Sequence, residues 1–152
     1  MTVTKMVTFD LAERRMLLST RQRNDMGVLN DIALALTIAA RLPKDVLDHS
    51  VEVSNDLDGP ASVLGLLHDT VEEGVASQAE IASIFPEDIT TAMVAITRLP
   101  DETYASYIDR LKVNPLAVKV KRVDLAKNLA RPNPKGSLRA RYLRALATLA
   151  QT

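Results

Sequence analysis

The sequence predicts an all-α fold of about eight or nine helices. Apolar residues recur three or four positions apart along almost the whole chain, which is the spacing of an amphipathic helix. Alanine and leucine predominate, only 3% of the residues are aromatic, and prolines and glycines punctuate the periodic segments. The core is therefore expected to consist of small and aliphatic side chains packed between helices.

Capping residues, proline and glycine divide the first half of the chain into four predicted helices. They run from Asp10 to about Arg23, over about 30–41, over about 45–56, and from Asp58-Gly59-Pro60 to Gly74. The tetrapeptide Asn24-Asp25-Met26-Gly27 is predicted to be the exit turn of the first helix, and Pro43 ends the second. Pro60 stands at the first position of the fourth helix, where a missing amide proton costs nothing.

The second half of the chain is predicted to contain five shorter units. They are a helix after Ser77 ending near Phe85, one from Pro86 to about Arg98, one from Pro100-Asp101, one from Pro115 to about Ala130, and one from Ser137 to Ala150. Ser77 followed by Glu80 has the form of a capping box. No segment resembles an interdomain linker, so residues 1–152 are predicted to form one domain, with residues 1–9 as a segment that can be flexible.

Charge and composition exclude several classes of function. The chain has 19 basic and 19 acidic residues among its 152, so it has no overall field to hold nucleic acid or an anionic membrane. It has no cysteine, which excludes disulfides and thiolate metal sites and is typical of an intracellular protein. The longest apolar stretch, 32–40, is far shorter than the roughly 20 residues of a membrane span, and no secretory signal is evident. We expect a cytoplasmic protein.

The chain has only two histidines, and one of them stands beside a cluster of acids. His68 is followed directly by Asp69, then by Glu72 and Glu73, after a nearly uninterrupted apolar run from Ala61. Carboxylates at the carboxyl end of a helix repel one another and oppose its dipole, and a bound cation would offset both effects. A solvated helix end beside a half-buried histidine is the alternative interpretation.

Two further residues extend this pattern. His49 lies on the inward stripe of its predicted helix, and Asp124 lies between apolar residues of another, where an unpaired carboxylate would be costly. His49, His68, Asp69 and Asp124 form a nitrogen and oxygen ligand set without sulfur, which suits Mn²⁺, Fe²⁺, Co²⁺ or Zn²⁺. Such a site would leave coordination positions for water and a substrate oxygen, which favours hydrolysis of a phosphoester or pyrophosphate.

The order of these residues resembles that of the HD-domain metal-dependent phosphohydrolases. The resemblance is closer to the hydrolase domain of the Rel/SpoT alarmone enzymes and to the small alarmone hydrolases. It is carried by residues 66–73, which resemble the family's leucine-rich His-Asp-x-Val-Glu-Asp segment, by residues 96–108, and by residues 118–129. The resemblance implies a single HD-domain helical bundle.

The same resemblance assigns roles to individual residues. It implies metal ligation by His49, His68, Asp69 and Asp124, water orientation or activation by Glu72 and Glu73, and a nucleotide contact by Asn128. The family metal is usually Mn²⁺, and close relatives remove the 3′-pyrophosphate of ppGpp-type nucleotides.

An anionic substrate also needs cations near the metal. Arg41, Lys44 and Lys121 are the first candidates for substrate binding, followed by Lys127 and Arg131. For the arginines of the last helix, among them Arg141, solvation or a subunit contact is the favoured interpretation. For Tyr104 and Tyr107, anchoring of the core is favoured over stacking on a base.

These observations predict a metal-dependent nucleotide phosphohydrolase acting on a (p)ppGpp-like alarmone. An HD-type 5′-nucleotidase or dNTP phosphohydrolase is the alternative within the same class of enzyme. A non-catalytic helical module that binds a nucleotide or a protein is the alternative from another class. The expected partner is a small nucleotide, with neither nucleic acid nor membrane, and pairing into a homodimer is compatible with a helical domain of this size.

Overall fold

A computed structural model describes residues 20–132 and 135–151, with side chains from residue 24 onward. All regular secondary structure in this part of the chain is α-helical, which confirms the predicted all-α class. The eight helices are α1 (Thr20–Ala39), α2 (Lys44–Asn55), α3 (Gly59–Leu67), α4 (Gln78–Ile84), α5 (Glu87–Ile96), α6 (Tyr104–Leu111), α7 (Pro115–Ala130) and α8 (Gly136–Leu149). Among the described residues, no helix combines the length and apolar character that crossing a membrane would require.

Helix α3 forms the centre of the bundle. Every residue from Ala61 to Leu67 is buried, and the helix packs against α1, α2, α5 and α7. A helix that is apolar on all sides is stable only when it is covered on all sides, so its sequence places it there. Gly65 allows the closest approach, because an added Cβ would lie 3.1 Å from Ser54 Cα on α2. The carboxyl end of α3 consequently delivers His68 into the interior.

The predicted turn at Asn24–Gly27 is wrong. Helix α1 runs through these residues without a break, and Gly27 lacks the positive φ that a glycine helix cap would show. Asparagine, aspartate and glycine favour helices weakly, but the next apolar positions, Val28 and Ile32, pack against the core. Tertiary packing therefore outweighs local propensity here. The predicted start at Asp10 and the segment 1–9 lie outside the described residues.

The predicted fourth helix also ends earlier than expected. Helix α3 stops at Leu67, and residues 68–74 form a series of turns that closes at Gly74, whose φ is +72°. The buried Thr70 turns the chain, since both its amide and its hydroxyl donate to the carbonyl of Leu67. His68 and Asp69 therefore belong to a tight turn rather than to a helical face.

The remaining predicted boundaries agree with the structure to within one or two residues, apart from α6. That helix begins at Tyr104, after the cap Thr103, and not at Pro100. Ser77 caps α4 as predicted, because its hydroxyl accepts from the amide of Glu80 at 3.1 Å.

Candidate metal centre

Three separate helices bring two imidazoles and a carboxylate together in the interior. His49 lies on α2, His68 directly follows α3, and Asp124 lies on α7. One ligand atom from each lies within 4.8 Å of the other two, and each residue is no more than 6% exposed. We call these three residues the His/Asp cluster. Donor atoms of these types at this spacing could hold a metal ion.

Asp124 is the centre of the cluster. Its Oδ1 lies 2.7 Å from His49 Nε2, which donates a hydrogen bond, and 3.5 Å from His68 Nε2. Asp69 stands at the edge of the cluster, where its side chain is 26% exposed and its Oδ2 lies 3.2 Å from His68 Nε2. The four residues predicted to ligate a metal are therefore neighbours in the fold, with Asp69 the least enclosed.

The contact of His68 Nδ1 shows which ring nitrogen carries the proton. His68 Nδ1 lies 2.7 Å from the carbonyl oxygen of Gly65, which can only accept, so Nδ1 carries the proton. Nε2 is buried, faces the carboxylates of Asp69 and Asp124, and lacks a well-aligned hydrogen bond within the described residues. Metal-ligating histidines commonly donate their second N–H to a backbone carbonyl in this way. The orientation of this ring therefore fits a cation.

The electrostatics of the cluster favour a positive charge at the same point. Burial would lower the pKa of His68, but the carboxylates of Asp69 and Asp124 outweigh it and raise this pKa to about 10. Burial would raise the pKa of Asp124, but Lys121 and the two histidines hold it well below its usual range. Without a metal, the carboxylates hold a proton on His68, and a divalent cation would take the place of that proton.

Helix α7 supplies two further partners of Asp124. Lys121 Nζ donates to Asp124 Oδ2 at 2.8 Å, and Asn128 Nδ2 donates to Oδ1 at 3.0 Å. These residues lie three positions before and four after Asp124, so all three share one face of the helix. Both were predicted to bind substrate, and the structure places them on the carboxylate at the centre of the cluster.

A cavity of about 240 Å³ opens beside the cluster. Six of the predicted site residues line it: His49, Asp69, Glu73, Lys121, Asp124 and Asn128. Arg131, Arg141, Tyr104 and Tyr142 line it as well, so cations, aromatic rings and acids share its wall. The composition of this wall suits an anion that is held against a metal.

Comparison with protein-family models gives no match, and comparison with curated proteins gives none either. The family therefore remains a resemblance.

Three of the predicted site residues have contacts that lead away from this cavity. Glu72 Oε1 accepts from the backbone amide of Arg98 at 2.7 Å, and burial raises the pKa of this carboxyl. Arg41 pairs with Glu80 at 2.8 Å, and Lys44 pairs with Asp48 at 2.6 Å. Of the acidic pair, Glu73 is thus the member that lines the cavity.

Two residues at the cavity were assigned other roles by the sequence. Arg141 was expected to face solvent or a subunit, and Tyr104 was expected to anchor the core. In the structure the Arg141 guanidinium lies 4.9 Å from the centroid of the Tyr104 ring, and both side chains line the cavity. The neighbouring Tyr142 was the available signal: it recurs at helical spacing with Leu138, Leu146 and Leu149, and an inward residue next to Arg141 brings that arginine to the edge of the core.

Proposed function

We propose that the protein is a metal-dependent nucleotide phosphohydrolase, with the 3′-pyrophosphate of a (p)ppGpp-like alarmone as the favoured scissile group. The observation that carries this proposal is the buried His/Asp cluster, in which an imidazole nitrogen without a well-aligned hydrogen bond within the described residues faces two carboxylates, beside a cavity lined by both acids and cations. Structural histidines in a core normally have both nitrogens in well-aligned hydrogen bonds, so this arrangement favours a ligand at Nε2 of His68.

His49, His68, Asp69 and Asp124 would hold the cation, and Mn²⁺ is the first candidate for its identity. Zn²⁺, Fe²⁺ and Co²⁺ also suit imidazole and carboxylate ligands. When bound, such a cation supplies an activated water and polarises a phosphoryl oxygen. The hydrogen bond that His68 Nδ1 donates to the Gly65 carbonyl, and the one that Asp124 Oδ1 accepts from Asn128 Nδ2, orient two of the ligands in advance.

Different residues of the cavity wall would accept the proton and bind the phosphates. Glu73 is a carboxylate in reach of the cavity and can accept a proton from the attacking water. Arg131 and Arg141 carry charge that attracts phosphate groups, and Lys121 adds a cation at the cluster itself. A volume of about 240 Å³ is small for a whole nucleotide. We therefore propose that the phosphates lie inside the cavity and the nucleoside lies outside it.

The experiment that tests the proposal combines metal analysis with a substrate panel. The protein is freed of metal, loaded with Mn²⁺, and assayed with ppGpp, a deoxynucleoside monophosphate and dATP. We expect about one equivalent of metal and release of pyrophosphate from ppGpp. His68→Ala should lose both. Glu52→Gln, an exposed change on the same helix as His49, should retain both.

The other outcomes select among the alternatives. Turnover of the monophosphate or of dATP in place of ppGpp would keep the metal-dependent hydrolase and replace its substrate. Metal binding without turnover of any of the three compounds would contradict the enzyme and favour a non-catalytic nucleotide-binding module. If the protein bound none of Mn²⁺, Zn²⁺, Fe²⁺ and Co²⁺, the proposed metal-dependent function would be wrong.

A further inference from the structure

Two tyrosines on α6 have similar surroundings but differ in one respect. Tyr104 and Tyr107 pack edge to face, with ring centroids 5.7 Å apart. The Tyr107 hydroxyl is buried and donates to the backbone carbonyl of Ile96. The Tyr104 hydroxyl is also buried, but it has no hydrogen-bond partner within the described part of the chain. Tyr107 thus has a structural reason for its hydroxyl, and Tyr104 has none.

The packing of Tyr104 accounts for its ring only. The guanidinium groups of Arg141 and Arg98 lie 4.9 Å and 5.7 Å from the ring centroid, and Tyr107 contacts its edge. A phenylalanine would make the same cation–π and edge-to-face contacts. A buried hydroxyl without a partner costs folding free energy, so its presence needs an explanation outside the packing.

The position of Tyr104 supplies that explanation. Its side chain lines the same cavity as Lys121, Arg131, Arg141 and the His/Asp cluster. Burial raises the pKa of Tyr104, so the phenol keeps its proton and acts as a hydrogen-bond donor. A phosphoryl oxygen is a strong acceptor, and bonds from a neutral donor to a charged oxygen are among the stronger ones in proteins.

We infer that the Tyr104 hydroxyl donates a hydrogen bond to a phosphoryl oxygen of the substrate held in this cavity. Tyr104 is then a substrate-binding residue, and its hydroxyl finds a hydrogen-bond acceptor only in the complex. This inference rests on the proposed phosphohydrolase function. It goes beyond it by naming a phosphate-binding group on the α6 side of the cavity.

The test uses Tyr104→Phe, with Tyr107→Phe on the same helix as the matched control. Tyr104→Phe removes an unpaired buried hydroxyl, so we expect the melting temperature to stay the same or to rise by a few degrees. The KM for the substrate and the Ki for inorganic pyrophosphate should each rise about tenfold, the effect of losing one such bond. Tyr107→Phe should lower the melting temperature and leave both constants unchanged.

Calorimetric binding of inorganic pyrophosphate to the Mn²⁺-loaded protein separates this inference from the proposed function. If the wild type hydrolyses nothing in the panel but binds pyrophosphate more tightly than Tyr104→Phe, the hydrolase fails and the role of Tyr104 stands. Equal binding by the two proteins, or no binding by either, would overturn the inference. So would a loss of pyrophosphate affinity that came with an equal loss of thermal stability, since that pattern indicates a structural role.

Discussion

Lys121 and Asp124 form a buried ion pair at the heart of the site. Their charged atoms lie 2.8 Å apart, and the side chains are only 13% and 5% exposed. Removing one partner of a buried pair leaves the other charge in a poorly solvating environment, which typically costs about 3–5 kcal/mol. We expect Lys121→Met to lower the free energy of unfolding of the metal-free protein by about 3 kcal/mol, measured by urea denaturation.

Lys119→Met is the matched control for that change. Lys119 lies on the same helix and pairs with Asp58 at 3.1 Å, but the two side chains are 56% and 92% exposed. An exposed pair contributes about 0–1 kcal/mol, so this variant should be nearly as stable as the wild type. Equal losses in the two variants would show that burial of the Lys121–Asp124 pair does not matter.

The sequence predicted the residues of the His/Asp cluster better than the cations around it. His49 and Asp124 could be found because each polar group lies on an apolar helix face, where it needs a partner, and His68 could be found because it ends a buried apolar run. Arg41 could not be excluded in this way, because its partner Glu80 is 39 positions away and meets it only in the folded chain. Local sequence shows which groups need a partner, whereas the tertiary fold decides which partner they find.

The contact between α2 and α3 sets the geometry of the site at the level of elements, because these helices position His49 and His68. A Cβ at Gly65 would lie 3.1 Å from the Cα and 3.2 Å from the amide nitrogen of Ser54, and backbone atoms cannot rotate away. Gly65→Ala should therefore force the helices apart and cost about 1–3 kcal/mol. It should also weaken Mn²⁺ binding, measured by calorimetric titration.

Gly27→Ala is the matched control for Gly65→Ala, and we expect the opposite result in the same assays. Gly27 lies inside α1, and an added Cβ would meet no atom within 4 Å. Alanine in a helix interior is favoured over glycine by about 0.5–1 kcal/mol, so this variant should be more stable and bind Mn²⁺ normally. If Gly65→Ala matched the wild type in both stability and affinity, close contact between α2 and α3 would not define the site.

Helix boundaries show which features of the fold sequence patterns predict and which they do not. The limits of α7, Pro115–Ala130, match the prediction because proline at the start and the Asn114 cap act locally. The turn predicted at Asn24–Gly27 failed because packing of Val28 and Ile32 maintains α1 through a weak segment. The early end of α3 depends on Thr70 bonding back to Leu67, which periodicity does not report.

At the scale of the whole molecule, one surface network ties the loop between α5 and α6 to both helices. Arg110 Nε and Nη2 bind the two carboxylate oxygens of Glu102 at 2.7 and 2.9 Å, and Nη2 also donates to the carbonyl of Thr97. Glu102 Oε2 accepts from the amide of Leu99. The same loop presents the Arg98 amide to Glu72, so the network connects the end of α5 to the turn that follows the His-Asp pair.

Acid should weaken the fold through this network. The hydrogen bond from Arg110 is the largest influence on Glu102 and, with the Leu99 amide, lowers the pKa of this carboxyl from 4.5 to about 2. A carboxyl whose pKa is lower in the folded state stabilises the fold above its unfolded pKa, and this contribution disappears as the pH falls from about 4.5 to about 2. We therefore compare the free energy of unfolding of the wild type with that of Glu102→Gln. The difference between them should be constant above pH 5 and shrink below it. Asp109→Asn, which removes the exposed pair with Lys112, should follow the wild type throughout. A difference between the wild type and Glu102→Gln that stayed the same from pH 6 to pH 2.5 would show that Glu102 does not depend on its charge to hold the loop.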